Sequence, residues 1–480
     1  MRPKVILRYI GMTLTLNGAF MLLSALIALF DQVDSAFLPL LFSGLFCSII
    51  GLTAYRFIPP ELNISNKEGY YIVICAWLSC CLFGALPYIL WNGEFTVVNA
   101  LFESASGYTT TGASILTNIE IIPKGLLFFR SCTAWMGGLG VVLLIMLFLP
   151  SIKNFKLRLA KVELSTLSKD NFKYRVQQTA RIICMIYLCL TAVETLLLWA
   201  AGMTFFDAVN HSLCCISTCG FGTKTKSILG FDNLSIEIIM TIFMYLGSLH
   251  FGLIYSLFKG EKKFWQSPVV RFYTYSLLCG ILLITIDLIV NKIDTNWLMA
   301  IRHSSFQVVS IASTSGFITS DTNCWPMFST LILFFFIFQC GCSGSTAGGI
   351  KVDRVLILLK SVKAQIKKMQ HPNAIIPIRF GNTHLEIETV NAVAIFIILY
   401  ILIVFITTLL LTMMGIDLMS GFSAAAACMS NVGPGFGLVG ASGSYNNFPD
   451  IAKILLSFVM ILGRLEIYGV ILIFYVRGWR

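Results

Sequence analysis

Charged residues are scarce in this 480-residue chain. Asp, Glu, Lys and Arg make up only 12% of it, whereas 57% of the residues are hydrophobic, and the mean hydropathy is +0.83. Soluble domains contain roughly one quarter charged residues. The composition therefore excludes an ordinary soluble domain and predicts a polytopic membrane protein.

The sequence also lacks signals of catalysis and of cofactor binding. No glycine fingerprint follows a strand, so we expect no nucleotide-binding domain and no organic cofactor in this chain. His, Asp, Glu and Cys do not cluster at membrane depth, as a membrane-embedded enzyme would require. The fifteen cysteines are scattered through apolar runs without zinc or disulfide spacing, and we interpret them as packing residues. We therefore expect no enzyme, and regulation must come from a partner.

Ten apolar runs are long enough to cross a bilayer of roughly 30 Å. The first follows Arg2, Lys4 and Arg8, but it is longer than the apolar part of a signal peptide and has no cleavage site, so we expect it to remain as a helix. The eighth is too long for one ordinary crossing, and its glycine-rich middle indicates a broken helix. The ten predicted spans are residues 6–30, 37–58, 70–91, 126–150, 179–202, 233–258, 272–291, 325–361, 390–414 and 451–476.

Lysine and arginine are concentrated in alternate loops, and this bias predicts the orientation. The basic loops at residues 151–181, 259–271 and 351–379 would lie inside, together with the N-terminus and the C-terminus. The net charge of +11 is then mostly a consequence of topology. Anionic membrane lipid is the expected partner of these loops, and nothing in the pattern favours nucleic acid.

Four short, hydroxyl-rich segments end in glycine. A cation that crosses a membrane needs oxygen atoms in place of its hydration shell, and rings of backbone carbonyls supply them without a fixed charge. Turning successive carbonyls inward needs backbone angles that glycine adopts easily. The segments therefore predict one filter in a pseudo-fourfold pore, at its outer side. They are Thr109-Thr110-Thr111-Gly112, Ser217-Thr218-Cys219-Gly220, Ser313-Thr314-Ser315-Gly316 and Ser430-Asn431-Val432-Gly433.

The spacing of these glycines predicts the fold. They lie roughly a hundred residues apart, which leaves room for two spanning helices and a short re-entrant helix in each unit. We predict an all-α integral membrane protein with an N-terminal two-helix hairpin and four pore repeats, the third with a broken second helix. The predicted boundaries are residues 1–60 for the hairpin and 61–165, 166–262, 263–365 and 366–480 for the repeats.

Each predicted repeat contains a pore helix that is too short to span the membrane. Its C-terminal end leads into the glycine segment, so the negative pole of the helix dipole would face the ion. Asp207 and Ser420 are the predicted N-caps of the second and fourth pore helices. The four predicted pore helices are residues 98–108, 207–216, 303–312 and 420–429.

Four longer motifs are more distinctive. They are residues 107–113, 130–140, 341–351 and 431–435, which read GYTTTGA, RSCTAWMGGLG, GCSGSTAGGIK and NVGPG. These motifs closely resemble the Trk/Ktr/HKT superfamily of potassium transporters, and within it the TrkH type of bacterial uptake systems. The resemblance covers nearly the whole chain. The extra N-terminal hairpin favours the TrkH type over the KtrB type.

This resemblance implies potassium uptake across the bacterial inner membrane through a filter of backbone carbonyls. The presence of glycine at the end of all four segments resembles the pattern of the potassium-selective members. Cys219 departs from the commoner small residue, which a carbonyl ligand tolerates. Lys224 and Lys226 follow the second segment, where cations should repel potassium unless they point away or are screened. The implied potassium-binding residues are Thr110, Thr111, Gly112, Thr218, Cys219, Gly220, Thr314, Ser315, Gly316, Asn431, Val432 and Gly433.

The resemblance also implies a gate. The loop at residues 341–349 interrupts an apolar run, where protein or water must satisfy irregular backbone. A helix-packing stretch is the alternative, and a phosphate-binding loop is disfavoured because no strand precedes it. Arg464 would face the pore beneath the filter as an electrostatic barrier, or instead pair with Glu466 or a neighbouring helix, since an unpaired charge there costs at least a few kcal/mol. The implied gate residues are Gly341, Gly344, Gly348, Gly349 and Arg464.

Four further polar residues lie in apolar surroundings. Two roles are open for Glu103 on the first pore helix: it adds negative potential near the filter, or it braces the filter by hydrogen bonding. For Glu194 we expect a buried structural hydrogen bond rather than ion coordination. His211 and His303 have no second histidine or cysteine at ligand spacing, so we expect packing or capping roles.

The resemblance implies two protein partners. One is a cytosolic ring of RCK domains, the TrkA-type protein, which binds nucleotides and docks on the inner face. The other is a second copy of the chain, because the family is dimeric with one pore per subunit. The basic loops at residues 151–181 and 351–379 are candidate docking surfaces, although charge facing lipid explains them equally well.

A sodium-coupled solute symporter is the alternative function. Such a protein is expected to show broken helices at paired positions of two halves. The sequence indicates one broken helix and four filter segments, which favours the potassium pathway. It does not distinguish passive flux from coupling to a proton or sodium.

Overall fold

The protein is built almost entirely of helices. The structure, a computed structural model, describes residues 2–30, 34–59, 66–140, 176–261, 263–374, 376–380, 383–440 and 443–467. Within these ranges the sheet content is one antiparallel ribbon formed by β1 (Arg379–Phe380) and β2 (Thr383–His384), with Arg379 opposite His384. The predicted all-α class is confirmed.

The N-terminal hairpin consists of α1 (Pro3–Phe30) and α2 (Phe37–Phe57). The helices approach each other closely at glycines, because a Cβ atom added at Gly18 or at Gly51 would come closer than 3.0 Å to the backbone of the other helix. Small residues at such contacts allow apolar helices to associate in lipid, where no hydrophobic driving force acts between them. The hairpin is therefore a tightly packed unit.

The remaining helices form four repeats, each with an outer helix, a pore helix and an inner helix in that order. Repeat 1 contains α3 (Asn66–Gly84), α4 (Leu86–Trp91), α5 (Val97–Tyr108) and α6 (Lys124–Leu139). Repeat 2 contains α7 (Val176–Ala200), α8 (Phe205–Ile216), α9 (Leu234–Gly247) and α10 (Phe251–Phe258). Repeat 3 contains α11 (Lys263–Gln266), α12 (Pro268–Val290), α13 (Trp297–Ala312), α14 (Met327–Phe338) and α15 (Val352–Gln370). Repeat 4 contains α16 (Ile387–Met413), α17 (Leu418–Ser430) and α18 (Asp450–Arg464). The repeat boundaries stay a prediction, and the last of them, after residue 365, falls inside α15.

The chain is a multi-pass membrane protein. In the part of the chain that is described, six helical segments are long and apolar enough to cross a membrane, or up to seven if the bent pair α9 and α10 counts as one span. These six match six of the ten predicted spans. The predicted spans 126–150 and 451–476 extend beyond the described residues. The six segments are Pro3–Phe30, Phe37–Phe57, Glu68–Trp91, Ala180–Ala200, Pro268–Val290 and Ile387–Met413.

The inner helices are interrupted in more repeats than the sequence indicates. The break in repeat 3 is as predicted, since residues 339–351 separate α14 from α15. The prediction of one continuous span at residues 233–258 is wrong, because α9 and α10 are bent by 106° at residues 248–250. There the His250 side chain accepts a hydrogen bond from the Gly252 N–H at 3.0 Å, which starts a new helix. The argument against a symporter from a single broken helix therefore does not hold.

The four inner helices are all shorter than a complete membrane crossing. The helices α6, α9, α14 and α18 contain 16, 14, 12 and 15 residues, whereas a complete crossing needs about 20. Gly140 follows α6 with a φ of 83°, and Glu466 follows α18 with a φ of 52°, both in the left-handed region. Each repeat therefore has irregular backbone directly after its inner helix.

The pore helices begin earlier than the sequence suggests. The predicted N-caps Asp207 and Ser420 are wrong: Thr204 and Asp417 cap α8 and α17 by accepting hydrogen bonds from the N–H groups of residues 207 and 420. The error is three residues in each case, since the predicted caps lie in the first turn. The third pore helix likewise starts after the cap Asn296, six residues before the predicted start.

Candidate functional site

Each of the four glycine segments contains a residue in the left-handed backbone region. Thr110, Thr218, Thr314 and Asn431 have φ values of 57°, 56°, 61° and 57°, and each stands two residues before its glycine. Such angles are outliers for a β-branched residue such as threonine. Strained backbone that recurs at matching positions points to a functional constraint. The four segments, which we call the filter strands, therefore share one local geometry.

The strained residue closes the end of each pore helix. In repeat 1 the Thr110 N–H donates to the Gly107 carbonyl at 2.9 Å, and the Thr111 N–H donates to the Ser106 carbonyl at 2.9 Å. The other three repeats have the same pair of bonds, with distances between 2.8 and 3.3 Å. This pattern is that of the Schellman cap, in which glycine usually takes the left-handed position. The cap satisfies carbonyls of the pore helix and turns the chain into the filter strand.

The carbonyl groups that follow the cap are left without donors. In the described part of the chain, no hydrogen bond reaches the carbonyl oxygens of the two residues before each filter glycine, and these residues are fully buried. Buried backbone carbonyls are otherwise almost always paired. The strands therefore hold a concentrated set of buried carbonyl oxygens without donors. The residues are Thr110, Thr111, Thr218, Cys219, Thr314, Ser315, Asn431 and Val432.

The four glycines bring the strands together in a closed ring. A Cβ atom added at Gly112 would come closer than 3.0 Å to the backbone of Gly220. One added at Gly220 would meet the Ser315 carbonyl, one at Gly316 the Val432 carbonyl, and one at Gly433 the Thr111 carbonyl, all closer than 3.0 Å. The contacts therefore run from strand 1 to 2, 3, 4 and back to 1. Any side chain at these glycines would push neighbouring strands apart.

The ring opens outward into a cavity that is lined by the four filter glycines and by Lys224. The Lys224 Nζ atom donates to the Gly230 carbonyl at 2.9 Å and lies 3.9 Å from the centroid of the Phe231 ring. The side chain is therefore held toward its own loop. Lys226, the second lysine noted in the sequence, is exposed and is not among the residues that line this cavity.

Glu103 and Arg130 form a buried ion pair behind the ring. The Arg130 Nε atom lies 2.6 Å from Glu103 Oε1, and the two side chains are 3% and 0% exposed. Glu103 also accepts hydrogen bonds from the Ser114 hydroxyl and the Ile115 N–H, while Arg130 donates to the Gly222 carbonyl at 3.3 Å. Of the two roles open for Glu103, the structure places it in a hydrogen-bonded brace.

Loss of one charge from this pair should destabilise the protein. We expect Glu103→Gln to lower the free energy of unfolding by about 3–5 kcal/mol, because Arg130 would keep a buried charge without its ionic partner. A lower midpoint of thermal unfolding in detergent measures the effect. The control Glu94→Gln changes an exposed carboxyl and should cost less than about 1 kcal/mol. Equal midpoints for the two variants would contradict the assigned brace.

The interruption of repeat 3 forms a loop directly beneath the ring. We call this segment, residues 339–351, the glycine loop. Its two ends are joined by a hydrogen bond from the Cys340 N–H to the Ile350 carbonyl at 3.1 Å. Its Gly348 N–H donates to the Thr314 hydroxyl at 3.1 Å, and a Cβ atom at Gly348 would collide with the Ser430 carbonyl. The loop therefore touches filter strands 3 and 4 from below.

The glycine loop also contacts repeat 2 where its inner helix is broken. The Cys342 N–H donates to the Ser248 carbonyl at 2.9 Å, and the Thr346 hydroxyl donates to the carbonyls of Ile216 and Gly247 at 3.0 and 3.1 Å. Gly344 and Gly349 have φ values of 82° and 62°, which other residues adopt at a cost. The irregular backbone of repeat 3 and that of repeat 2 thus satisfy each other's hydrogen-bonding groups. The break between α9 and α10 supplies two of these acceptors, the Gly247 and Ser248 carbonyls.

Arg464 lies beside the glycine loop and joins it to repeat 1. Its Nη1 atom donates to the Thr346 carbonyl at 2.6 Å, and its Nη2 atom donates to the Gly137 carbonyl at 2.8 Å and more weakly to the Gly138 carbonyl at 3.3 Å. Glu466, the alternative partner, forms its ion pair with Arg354, whose Nη2 atom lies 2.6 Å away. The loop is therefore in contact with all four repeats, through Arg464 in the case of repeat 1.

Sequence reasoning missed the charged cluster at the end of the glycine loop. The Lys351 Nζ atom donates to the Ala347 carbonyl, and the Asp353 carboxylate accepts a hydrogen bond from the Ser343 N–H at 2.7 Å. These bonds tie the start of α15 to the middle of the loop, and the pair between Arg354 and Glu466 ties it to the chain after α18. Charges immediately after an apolar, glycine-rich run are the signal that could have indicated them.

The other polar residues singled out in the sequence lie behind the filter. Glu194 is fully buried, and its carboxyl group faces the weak donor Cys215, with no nitrogen or oxygen partner among the described residues. The hydrogen-bonding group that faces the Glu194 carboxyl is therefore the Cys215 thiol of the second pore helix. His211 packs against Phe231 and Phe317, and no group of three or more metal-ligating side chains occurs in the described ranges.

This arrangement defines a class of protein. A ring of four re-entrant strands above a loop from an interrupted helix, inside a multi-pass helical protein, is the architecture of a membrane transport protein with a central pathway. Residues 41–477 match the family model TrkH, described as a cation transport protein. The chain belongs to the TrkH family of cation transport proteins.

Relatives and solved structures agree with this membership. The chain is 34% identical over 486 residues to the Trk system potassium uptake protein TrkH of Escherichia coli K12, with 100% of each chain covered. It is 32% identical over 485 residues to the TrkG protein of the same strain, with 99% of each covered. A crystal structure of the potassium transporter TrkH from Vibrio parahaemolyticus superimposes with a TM-score of 0.91 at 31% identity, again over 100% of both chains. The resemblance inferred from the motifs is confirmed, and the relatives are named for transport rather than for catalysis.

Proposed function

We propose that this chain is the potassium-translocating subunit of a Trk-type uptake system. The observation that carries the proposal is the set of buried carbonyl oxygens, two from each filter strand, that no donor in the described chain satisfies. A dehydrated cation is the partner that such oxygens suit, because it accepts several carbonyl dipoles at once and needs no fixed charge. The two relatives described above are named potassium uptake proteins, which supports potassium as the ion.

The pore helices add to the attraction for a cation. Each ends directly before a filter strand, so four helix C-termini point toward the ring. A helix C-terminus carries a partial charge of about −0.5 elementary charge. Four such ends would favour a monovalent cation without burying a carboxylate. The filter residues for this function are those named in the sequence, with Gly112, Gly220, Gly316 and Gly433 at the turns.

The glycine loop is the proposed gate. It lies beneath the filter strands, where its contacts with Thr314 and Ser430 obstruct the path of an ion. Gly341, Gly344, Gly348 and Gly349 allow its backbone to fold back so tightly, and Arg464 tethers it. Opening requires the loop to leave these contacts, and the Arg464 charge must move aside or be screened.

The proposed setting is the bacterial inner membrane, with both termini in the cytoplasm, a homodimeric assembly and a nucleotide-binding RCK partner of the TrkA type. The relatives belong to a named uptake system, which supports a complex of several components. The inner end of the gate continues into α15, which carries Lys363, Lys367 and Lys368 near its C-terminus. A partner that docks on these lysines would reach the gate through one continuous helix. The other predicted docking loop, residues 151–181, lies largely outside the described residues.

Cation uptake into proteoliposomes that contain this chain alone tests the function. We expect potassium and rubidium to enter faster than sodium. Equal uptake of sodium, unaffected by Gly112→Ser, would overturn the filter. If the partner is needed for flux, potassium should still raise the midpoint of thermal unfolding more than sodium does, since a ligand that binds the folded state stabilises it.

A further inference from the structure

The first filter strand differs from the other three in the residue that precedes it. Tyr108 stands four residues before Gly112, whereas the matching positions hold Ile216, Ala312 and Met429. Tyr108 is 0% exposed, so its hydroxyl group needs a partner inside the protein. Next to one strand of an otherwise pseudo-fourfold ring, the tyrosine thus has a buried hydroxyl group that needs a hydrogen-bond partner.

The N-terminal hairpin supplies that partner. The Tyr108 hydroxyl donates to the Asn17 Oδ1 atom of α1 at 2.5 Å, across 91 positions of sequence. The aromatic side chain of Tyr108 passes Gly84 of α3 on its way to α1. A Cβ atom added at Gly84 would come closer than 3.0 Å to the Tyr108 Cε2 atom. A glycine at position 84 is therefore required for this passage.

Asn17 has no other evident reason to be polar. It is 1% exposed in an apolar helix, where burial of an amide is costly. Its Nδ2 atom has no hydrogen-bond partner in the part of the chain that is described. The interaction with Tyr108 is the one that accounts for an asparagine at this position.

The N-terminal hairpin is tightly packed and is attached to repeat 1, so Asn17 has a fixed position. Gly18, next to Asn17, brings α1 into contact with the backbone of α2. The hairpin also packs on repeat 1, where the Gly125 N–H donates to the Asp34 carboxylate at 2.9 Å and the rings of Phe20 and Trp135 lie 6.1 Å apart. Asn17 is therefore part of a rigid block fixed to the inner helix of repeat 1.

A displacement of Tyr108 would be transmitted directly to the filter. The Tyr108 carbonyl lies so close to Gly137 that an added Cβ atom there would collide with it. Thr109 follows Tyr108, and the left-handed Thr110 comes one residue later. The backbone from Tyr108 to Gly112 is too short to absorb a shift without moving the Thr110 and Thr111 carbonyls.

We propose that the N-terminal hairpin, which lies outside the fourfold unit, sets the position of the first filter strand, and that Asn17 is a positioning residue for ion selectivity. The inference rests on the proposed function, because it assigns a role relative to the potassium filter. It gives the hairpin a part in transport in addition to membrane anchoring.

Selectivity measured in Asn17 and Tyr108 variants tests the inference. We expect Asn17→Leu to lower the ratio of potassium to sodium uptake about tenfold, the effect of leaving one buried hydroxyl without its partner. Tyr108→Phe should lower the ratio in the same direction. The double variant should be no worse than either single variant, because it removes both polar groups together. Ser24→Ala is the matched control, since Ser24 is buried on the same helix and its one hydrogen bond among the described residues goes to the Phe20 carbonyl of its own helix.

The possible outcomes separate a positioning role from a structural one. If the variants lose yield or thermal stability while their ratio of potassium to sodium uptake equals that of the unaltered chain, the inference is overturned. Should Asn17→Leu fail to assemble, Tyr108→Phe and the double variant decide by the same ratio. Where the chain alone shows no uptake, the potassium-specific rise in unfolding midpoint replaces the flux. An unaltered chain with neither potassium-selective uptake nor potassium-specific stabilisation would refute the proposed function itself.

Discussion

Gly112→Ser should abolish most of the preference for potassium over sodium. The serine Cβ atom would come closer than 3.0 Å to the Gly220 backbone, and the φ of 78° at this position is unfavourable for any residue but glycine. Both effects move strands 1 and 2 apart and displace carbonyl oxygens. Strain of about 1–3 kcal/mol is expected from the backbone angle alone, and a tenfold change in selectivity corresponds to about 1.4 kcal/mol.

Gly415→Ser is a matched control for this experiment. Gly415 has a φ of 86°, so serine meets a similar backbone penalty, but nothing lies within 4 Å of an added Cβ atom. Both variants would be compared for the ratio of potassium to sodium uptake and for thermal stability. We expect Gly415→Ser to lose some stability and keep its selectivity. An equal loss of selectivity in both variants would show that strain, and not the closed ring, determines the preference.

Arg464→Ala should raise potassium flux in the absence of any regulatory partner. The substitution removes the donors to Thr346 on the glycine loop and to Gly137 on repeat 1. Hydrogen bonds from a charged group are worth about 1.5–3 kcal/mol each, so the closed position of the loop loses a substantial part of its stabilisation. The positive charge beneath the filter is removed as well. We expect a rise in the uptake rate of at least about tenfold, by the relation between free energy and rate.

Arg464→Lys separates the two effects of Arg464. Lysine keeps the charge but lacks the planar fork that spans two carbonyl groups. If the tether is what holds the loop, lysine should raise flux nearly as much as alanine does. If the charge is the main barrier, lysine should resemble the unaltered chain. Unchanged flux in both variants would remove Arg464 from the gate.

The ring of four glycine segments was predictable because its signal is local and repeated. Each segment carries its own glycine and its own polar run, and the structure places all four at equivalent positions of one ring. The strain at Thr110, Thr218 and Thr314 could not be predicted, because threonine rarely adopts a positive φ and does so here only under the cap and the neighbouring strands. The bend after Gly247 was also not predicted, because the apolar run continues on both sides of the two polar residues at the bend, Ser248 and His250.

Contacts across repeats required the folded chain. The sequence left Arg464 either facing the pore or paired with Glu466 or a neighbouring helix. Only the structure shows that Glu466 pairs with Arg354 and that Arg464 reaches Thr346. The bond between Asn17 and Tyr108 joins the hairpin to the first filter strand, although the sequence marks the hairpin only as an appendage. Such partners are set by which helix faces meet, and no local window of sequence contains that information.

The sequence by itself determined that this chain lies in a membrane, that four glycine segments form its centre, and that one inner helix is broken by glycine. These features follow from hydropathy, from the backbone freedom of glycine and from the length of a bilayer crossing, all of which act within one segment. The tertiary structure alone decided the closed order of the four strands, the contacts that hold the glycine loop beneath them, and the partner of each buried charge. Those depend on close approach between segments that are separated in sequence, by 27 residues for Glu103 and Arg130 and by 112 for Arg354 and Glu466. Packing, not local preference, selects among the alternatives.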